Sequence, residues 1–227
     1  LLKPATSQTT SYDFYDLNAK MNYELGKKDH VFLGFFKGND NAGYTGANSL
    51  NYKTDFGNTT GTFRWNHLFG SKVFSNTSLI YNDYHLGLGT TQNNYYEVLY
   101  TGIKDVSVKS DFTFIPNSKH KIKTGIVYIN HTLYPASVSS VLPNAGNRIV
   151  INKDSVAKRL SNEFAFYLSD EYDISKLLSV NYGIRLPAFN GGGATYSGIE
   201  PRITTKILLN PTTSIKASWT VMNQFLH

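Results

Sequence analysis

Between Leu178 and Ala188 apolar and polar positions alternate in single steps, with Leu178, Val180, Tyr182, Ile184 and Leu186 on one side and Ser179, Asn181, Gly183 and Arg185 on the other. A pleated strand sends successive side chains to opposite faces, so this alternation predicts a strand with one apolar and one polar face. Similar patterns recur about ten times along the 227 residues.

The first predicted hairpin runs from Tyr12 to Leu25, turns at Gly26-Lys27-Lys28-Asp29 and returns through Val31, Leu33 and Phe35. A long polar connection is expected over Lys37 to Asn58. Thr59 to Phe69 then turns at Gly70-Ser71-Lys72 into Val73, Ser75, Thr77, Leu79 and Tyr81. A second polar connection, Leu86 to Asn94, leads to Tyr95–Phe114 and Lys121–Leu133, joined at Pro116-Asn117-Ser118-Lys119. Ile122, Thr124, Ile126 and Tyr128 mark the outward face there. After a loop over Pro135 to Ala157, Asn162–Tyr172 and Leu178–Leu186 flank Asp173-Ile174-Ser175-Lys176, and a short helical turn is admissible over Ile174 to Leu178. Asn190 to Gly193 is read as the next loop, followed by strands Tyr196–Leu209 and Ser214–Phe225 around Asn210-Pro211-Thr212-Thr213, where Pro presets φ.

Short and long connections are thus expected to alternate, and the strands are longer than the usual five or six residues of soluble sheets. Tight turns on one side, long loops on the other and strands of about ten residues predict an all-β, antiparallel transmembrane β-barrel of about ten strands. Composition fits once a barrel is considered. A mean hydropathy of −0.30 and 41% hydrophobic residues suit a wall with one lipid face and one wet face. Sixteen Tyr and fourteen Phe suit strands and interfacial girdles. The absence of Cys excludes disulfides and thiolate metal sites. The net charge of +6 is spread without a basic run, so nucleic acid is not an expected partner. The sequence begins at Leu1 without a charged-then-apolar leader, and is read as a fragment or processed product.

The C-terminal residues narrow the reading. Ile199-Glu200-Pro201-Arg202, then Ile207-Leu208-Leu209-Asn210, Ser214-Ile215-Lys216-Ala217-Ser218-Trp219 and Met222-Asn223-Gln224-Phe225-Leu226-His227 resemble, in order, the barrel of TonB-dependent outer-membrane receptors of Bacteroidetes. Glu163, Phe166, Asp170 and Glu171 look like the strand that precedes this pattern. The resemblance implies an integral outer-membrane protein of a Gram-negative bacterium, with a barrel of about 22 strands around a plug. It would take up a scarce nutrient such as a metal chelate, glycan or peptide with energy from the TonB complex. Residues 1–227 would be a partial barrel domain without a plug. The partners implied are the plug domain, the TonB complex, a surface lipoprotein and outer-membrane lipid; no cofactor and no enzymatic activity are implied. The Tyr12 and Phe225 strands would then pair with strands outside this sequence rather than with each other.

Arg or Lys facing lipid costs about 2–4 kcal/mol at mid-membrane, so Lys20, Arg64, Arg185, Arg202 and Lys216 are assigned to the lumen. Glu200 and Arg202 share one side of a strand and, with Arg185 and Arg64, are expected to form a lumen charge network, which the resemblance turns toward the plug. Tyr44, Tyr52, Tyr84, Tyr95, Tyr96 and Tyr134 lie in or beside the outer connections, as substrate contacts or as an aromatic girdle. Asp83 and His85 could polarise a water if both face inward, as in omptin-type proteases, but no Asp-x-Asp provides a second acidic pair. His30, His67, His120 and His131 lack partners at metal-ligand spacing. Two other classes stay open: a self-contained small outer-membrane barrel acting as adhesin or protease, and a soluble β-sheet binding module.

Overall fold

The computed structural model describes residues 9–46, 50–92, 95–141 and 157–225. They form one antiparallel sheet of eleven strands, with no helix among the described residues. The strands are β1 (Thr9–Leu25), β2 (Asp29–Thr45), β3 (Asn51–Leu68), β4 (Val73–Gln92), β5 (Tyr95–Asn117), β6 (His120–Val141), β7 (Arg159–Asp173), β8 (Leu178–Gly191), β9 (Ala194–Ser197), β10 (Glu200–Asn210) and β11 (Thr213–Thr220). Each pairs with its neighbour in sequence, except that β9 and β10 both pair with β8, one above the other.

The turns of one rim are built by their own side chains. Gly26 takes φ +80°, open to a residue without Cβ. Asn117 Oδ1 accepts from the amides of Lys119 at 2.9 Å and His120 at 3.2 Å. Ser175 Oγ accepts from those of Leu177 and Leu178 at 3.2 and 3.1 Å, so the Ile174–Leu178 segment is a side-chain-capped bend rather than a helical turn. Asn210 Oδ1 accepts from Thr212 N at 3.0 Å. Such Asn and Ser bonds close turns locally.

The other rim differs from expectation. Lys37 to Asn58 is mostly ladder: β2 and β3 stay in register from Asp29↔His67 to Thr45↔Asn51. Leu86 to Gln92 likewise belongs to β4, paired with β5 through Gln92↔Tyr95. Gly191 turns directly into β9 through Gly192 and Gly193, both with positive φ, so Asn190–Gly193 is a tight hairpin rather than a long loop. β6 runs to Val141, well into the stretch read as a loop, and residues 142–156 lie outside the described residues. These segments look like loops in sequence because both of their faces are polar, whereas backbone pairing does not require an apolar face.

The register assigns every side chain to one of two faces. The outward face carries Leu17, Ala19, Met21 and Tyr23 on β1, Val31, Leu33 and Phe35 on β2, and Val180, Tyr182, Ile184 and Leu186 on β8. Many of these are widely exposed, Tyr23 at 64% and Leu17 at 56%. A continuous band of that kind needs an apolar medium, and lipid supplies it. The inward face carries the alternating polar set and the tightest packing, with Ala165 fully buried and Pro187 beside it on β7 and β8.

Two more expectations are corrected. The strand read as Tyr196–Leu209 is interrupted at Gly198 and Ile199, and β11 stops at Thr220 instead of reaching Phe225. Residues 221–225 leave the ladder: Asn223 N donates to Glu200 Oε1 at 2.9 Å, and the Phe225 ring stacks on Phe189 with centroids 5.8 Å apart. A side-chain carboxylate captures the backbone there, which strand periodicity does not report. β1 and β11 each have one neighbour and do not pair with each other, so the described residues do not close the sheet.

Candidate functional site

The inner wall holds the polar chemistry. Arg185 on β8 donates from Nη2 to Glu163 Oε1 on β7 at 2.9 Å and from Nη1 to Glu200 Oε2 on β10 at 3.1 Å. Glu200 is 3% exposed, and its second oxygen takes the Asn223 amide, so the carboxylate is held from both sides. One strand away, Tyr167 reaches over Gly125 to hydrogen-bond Asp111, which Lys109 also pairs at 3.1 Å. A Cβ at Gly125 would stand 2.6 Å from the Tyr167 oxygen, so the missing side chain is what lets this contact form.

Arg185 and Glu200, two residues expected in the lumen network, are therefore joined. Arg202 and Arg64 also face inward, but both are exposed and neither enters that ion-pair cluster. Lys20 and Lys216 face inward too. Glu163 and the Asn223 amide complete the cluster and went unassigned from sequence. Glu163 lies four residues along β7 from Tyr167, the register partner of Arg185, and only the diagonal reach of the long side chains reveals the contact.

Four of the six tyrosines point inward at the outer end: Tyr44 and Tyr52, ring centroids 6.2 Å apart, Tyr84, and Tyr95, which donates to Glu97 at 2.6 Å. Tyr96 faces outward, across from Thr91. Tyr134 also faces outward, with Lys158 Nζ 5.5 Å from its ring centre. The hydrogen bond to Glu97 raises the pKa of the Tyr95 phenol above the usual tyrosine range, and that to Asp40 does the same for Tyr12. Both lie beyond the lipid-facing band.

Asp83 and His85 do not form an inward pair. Both face outward and take separate partners, Asp83 with Lys104 at 2.7 Å and His85 with Asp55 at 3.0 Å. Cross-strand carboxylates also hold His30 (Glu24, 2.8 Å), His67 (Asp29, 2.6 Å), His120 (Asp170, 2.7 Å) and His131 (Asp105, 2.8 Å). No group of three potential metal ligands occurs among the described residues. The other His131 nitrogen, Nε2, and Oγ of its cross-strand neighbour Ser161 are buried without partners among the described residues.

No protein-family model and no curated protein matches the sequence. Solved structures do match. FpvA of P. aeruginosa, solved with pyoverdine–iron, aligns at TM-score 0.67 and 15% identity over 93% of this chain and 35% of its own. The copper transporter OprC aligns at TM-score 0.72 and 10% identity over 93% and 36%. The alcaligin outer-membrane receptor FauA of Bordetella pertussis aligns at TM-score 0.64 and 12% identity over 93% and 35%. The fold is the barrel wall of TonB-dependent outer-membrane receptors. The chain spans about a third of the length of these structures.

Proposed function

We propose that residues 1–227 are a partial barrel domain of an outer-membrane transporter that takes up a scarce nutrient, a metal chelate, glycan or peptide, with energy from the TonB complex. The observation that carries this reading is the pairing of faces: a continuous apolar band outside and an ion-paired, hydrogen-bonded wall inside, on a sheet with the fold of receptor barrels. The receptors and transporters it resembles handle pyoverdine–iron, copper and alcaligin, which favours uptake over adhesion or proteolysis. The Bacteroidetes affiliation rests on the Glu200-Pro201-Arg202 and Met222-Asn223-Gln224 patterns.

Unpaired strand edges in hydrocarbon cost several kcal/mol per unsatisfied group, so β1 and β11 need further neighbours. β1 offers 17 residues of edge and β11 only 8, a poor match for each other. Strands outside this sequence are the proposed partners of both edges. Inside the ring, the inward charges face a plug domain, and a surface lipoprotein covers the outer opening. The test is growth on a single limiting nutrient in a strain deleted for the full-length gene, with and without a functional TonB. Growth that depends on both supports the reading; growth that persists without TonB, while depending on the gene, sinks the energised mechanism.

A further inference from the structure

On the outward face of β3, β4 and β5, toward the outer rim, a groove of about 280 Å³ runs along the strands. Its floor is Gly87 and Gly89 on β4, which place no side chain on that face. One wall is apolar: the register sets Tyr100 beside Gly87 and Val98 beside Gly89, and Tyr96 follows at the upper end. The other wall is charged, with Asp55 beside Gly87 and Lys53 beside Gly89. Every lining residue except Leu88 holds an outward position, so the groove opens away from the lumen.

The groove is open space with its lower end fixed in place. An added Cβ would meet nothing closer than 3.7 Å at Gly87 and 3.8 Å at Gly89, so the two glycines leave room there rather than relieve a clash. Asp55 pairs with His85 at 3.0 Å and accepts from Asn39 Nδ2 at 2.9 Å, and His85 stacks on Tyr100 with ring planes 9° apart. Lys53 is exposed and reaches outward beside them. The floor begins four residues above Asp83, whose pair with Lys104 sits directly above Tyr81 and Val106 of the apolar band. At about 3.4 Å per residue and a tilt of about 45°, those four residues raise the floor about 10 Å above the ion pair.

We propose that this groove holds the oligosaccharide headgroup of a glycolipid of the surrounding outer leaflet. Height selects the class of ligand. Phospholipid headgroups extend only about 5–7 Å beyond the hydrocarbon on each side and end below the floor, whereas a headgroup of several linked sugars reaches along it. The chemistry of the walls agrees: a pyranose ring has an apolar C–H face, which packs on Tyr96, Val98 and Tyr100, and a hydroxyl edge, which donates to Asp55 and accepts from Lys53. The acyl chains of the same molecule lie on the band below, so groove and band form one continuous contact. A nutrient passing through the lumen does not meet this face. The inference goes beyond the uptake reading and rests on its outer-membrane location alone.

The test uses the full-length protein in detergent micelles, with binding read by native mass spectrometry. Three probes are titrated: a rough-type lipopolysaccharide, the lipid A portion that keeps its acyl chains and phosphates but lacks the core sugars, and the deacylated core oligosaccharide. The intact glycolipid is expected to bind at least about tenfold more tightly than either part. Gly89→Leu, which fills the groove, should bring its affinity down to that of lipid A and leave lipid A binding unchanged, in protein that retains folded-barrel mobility on unheated gels. If that variant does not fold, Tyr96→Ala, at an exposed side chain of the wall, should reduce the same preference. Lipid A binding as tightly as the intact molecule, free core sugars binding as tightly, no binding of any probe, or a preference that survives Gly89→Leu or, where that variant does not fold, Tyr96→Ala overturns the proposal. A dimer that Gly89→Leu abolishes, seen in place of glycolipid binding, gives the groove to a second copy and overturns it as well. Binding is read without uptake, so growth that is independent of TonB removes the energised mechanism alone, and TonB-dependent growth without glycolipid preference removes this inference alone.

Discussion

The two ends of the same strands obey different rules. Near the turn rim most outward side chains are Leu, Ile, Phe and Tyr, with the Asp29–His67 and Asp170–His120 pairs beside the turns; toward the outer rim of β1 to β4 they become Asp13, Asn39, Asn41, Asp55 and His85, linked by Asn39 Nδ2 to Asp55 at 2.9 Å, Asn41 Nδ2 to Asp13 at 2.9 Å and His85 to Asp55. The ladder does not change across the boundary, since β3 and β4 remain in register from Leu68↔Phe74 to Asn51↔Thr91. What changes is the medium outside. Backbone pairing sets the height of the wall, while the outward side chains set how much of it lies in lipid.

The largest contrast between the two ends is expected from a charge placed outward in each. Ile184→Arg, in the middle of the band, should destabilise the protein in lipid vesicles by about 2–4 kcal/mol, whereas Thr91→Arg, on the polar extension, should cost less than about 1 kcal/mol. Urea titration of the vesicle-inserted protein measures both. Equal losses would mean that the band and the extension share one environment, and the division of the wall would fail.

Inside the barrel the comparison is between a charge that is held and one that is not. Arg185→Ala leaves Glu163 and Glu200 facing each other without their cation, and loss of a buried partner costs about 3–5 kcal/mol. Arg185 and Glu163 keep roughly a quarter of their side-chain surface, so solvent screening brings the expectation down to about 2 kcal/mol. Arg64→Ala, at an exposed arginine of the same face, should stay within about 0.5 kcal/mol. A large loss at Arg64 in the same urea titration would show that it has a partner beyond the described residues.

How much of this was legible depends on which signal a residue carries. Strand alternation placed β8 and the lipid face of Leu178 to Leu186 almost residue by residue, because lipid on one side and water on the other force opposite chemistry onto neighbours. The same rule is silent where water bathes both faces, which is why Lys37 to Asn58 and Leu86 to Gln92 read as loops although they are paired. Phase also put Arg185, Glu200, Arg202 and Arg64 on the inner face, but could not separate the two that meet from the two that do not. That outcome depends on diagonal reach between strands and on the departure of residues 221–225 from the ladder. Phase through Leu79 and Tyr81 carries the outward turn of Asp83 and His85, since all four positions share one face of β4.

Glycines sharpen the contrast on a smaller scale. Gly125→Ala would push a methyl against the Ser110 carbonyl oxygen and the Tyr167 hydroxyl, both 2.6 Å from the ideal Cβ position, in the packed lower wall. Overpacking of this kind costs about 1–3 kcal/mol, and the Tyr167–Asp111 hydrogen bond should be lost with it. Gly87→Ala in the extension meets nothing closer than the Asp55 carbonyl at 3.7 Å and should be near neutral. Thermal unfolding followed by gel mobility separates the two, and a comparable drop at both glycines would contradict the difference in packing.

The smallest effect expected locates the boundary itself. Asp83 and Lys104 pair at 2.7 Å on the outward face, directly above Tyr81 and Val106, and Tyr81 Oη also donates to Asp83 at 3.2 Å. If the headgroup region begins at this row, the pair is partly hydrated and Lys104→Met should cost less than about 1 kcal/mol, with Tyr81 and water retaining the carboxylate. If hydrocarbon extends past the row, the same substitution strands a carboxylate in lipid and the loss rises to about 3–5 kcal/mol. Urea titration of Lys104→Met at low and high salt distinguishes the cases, since only the hydrated pair weakens with ionic strength. A loss matching that of Ile184→Arg would move the edge of the membrane outward, into residues assigned here to the water-bathed extension.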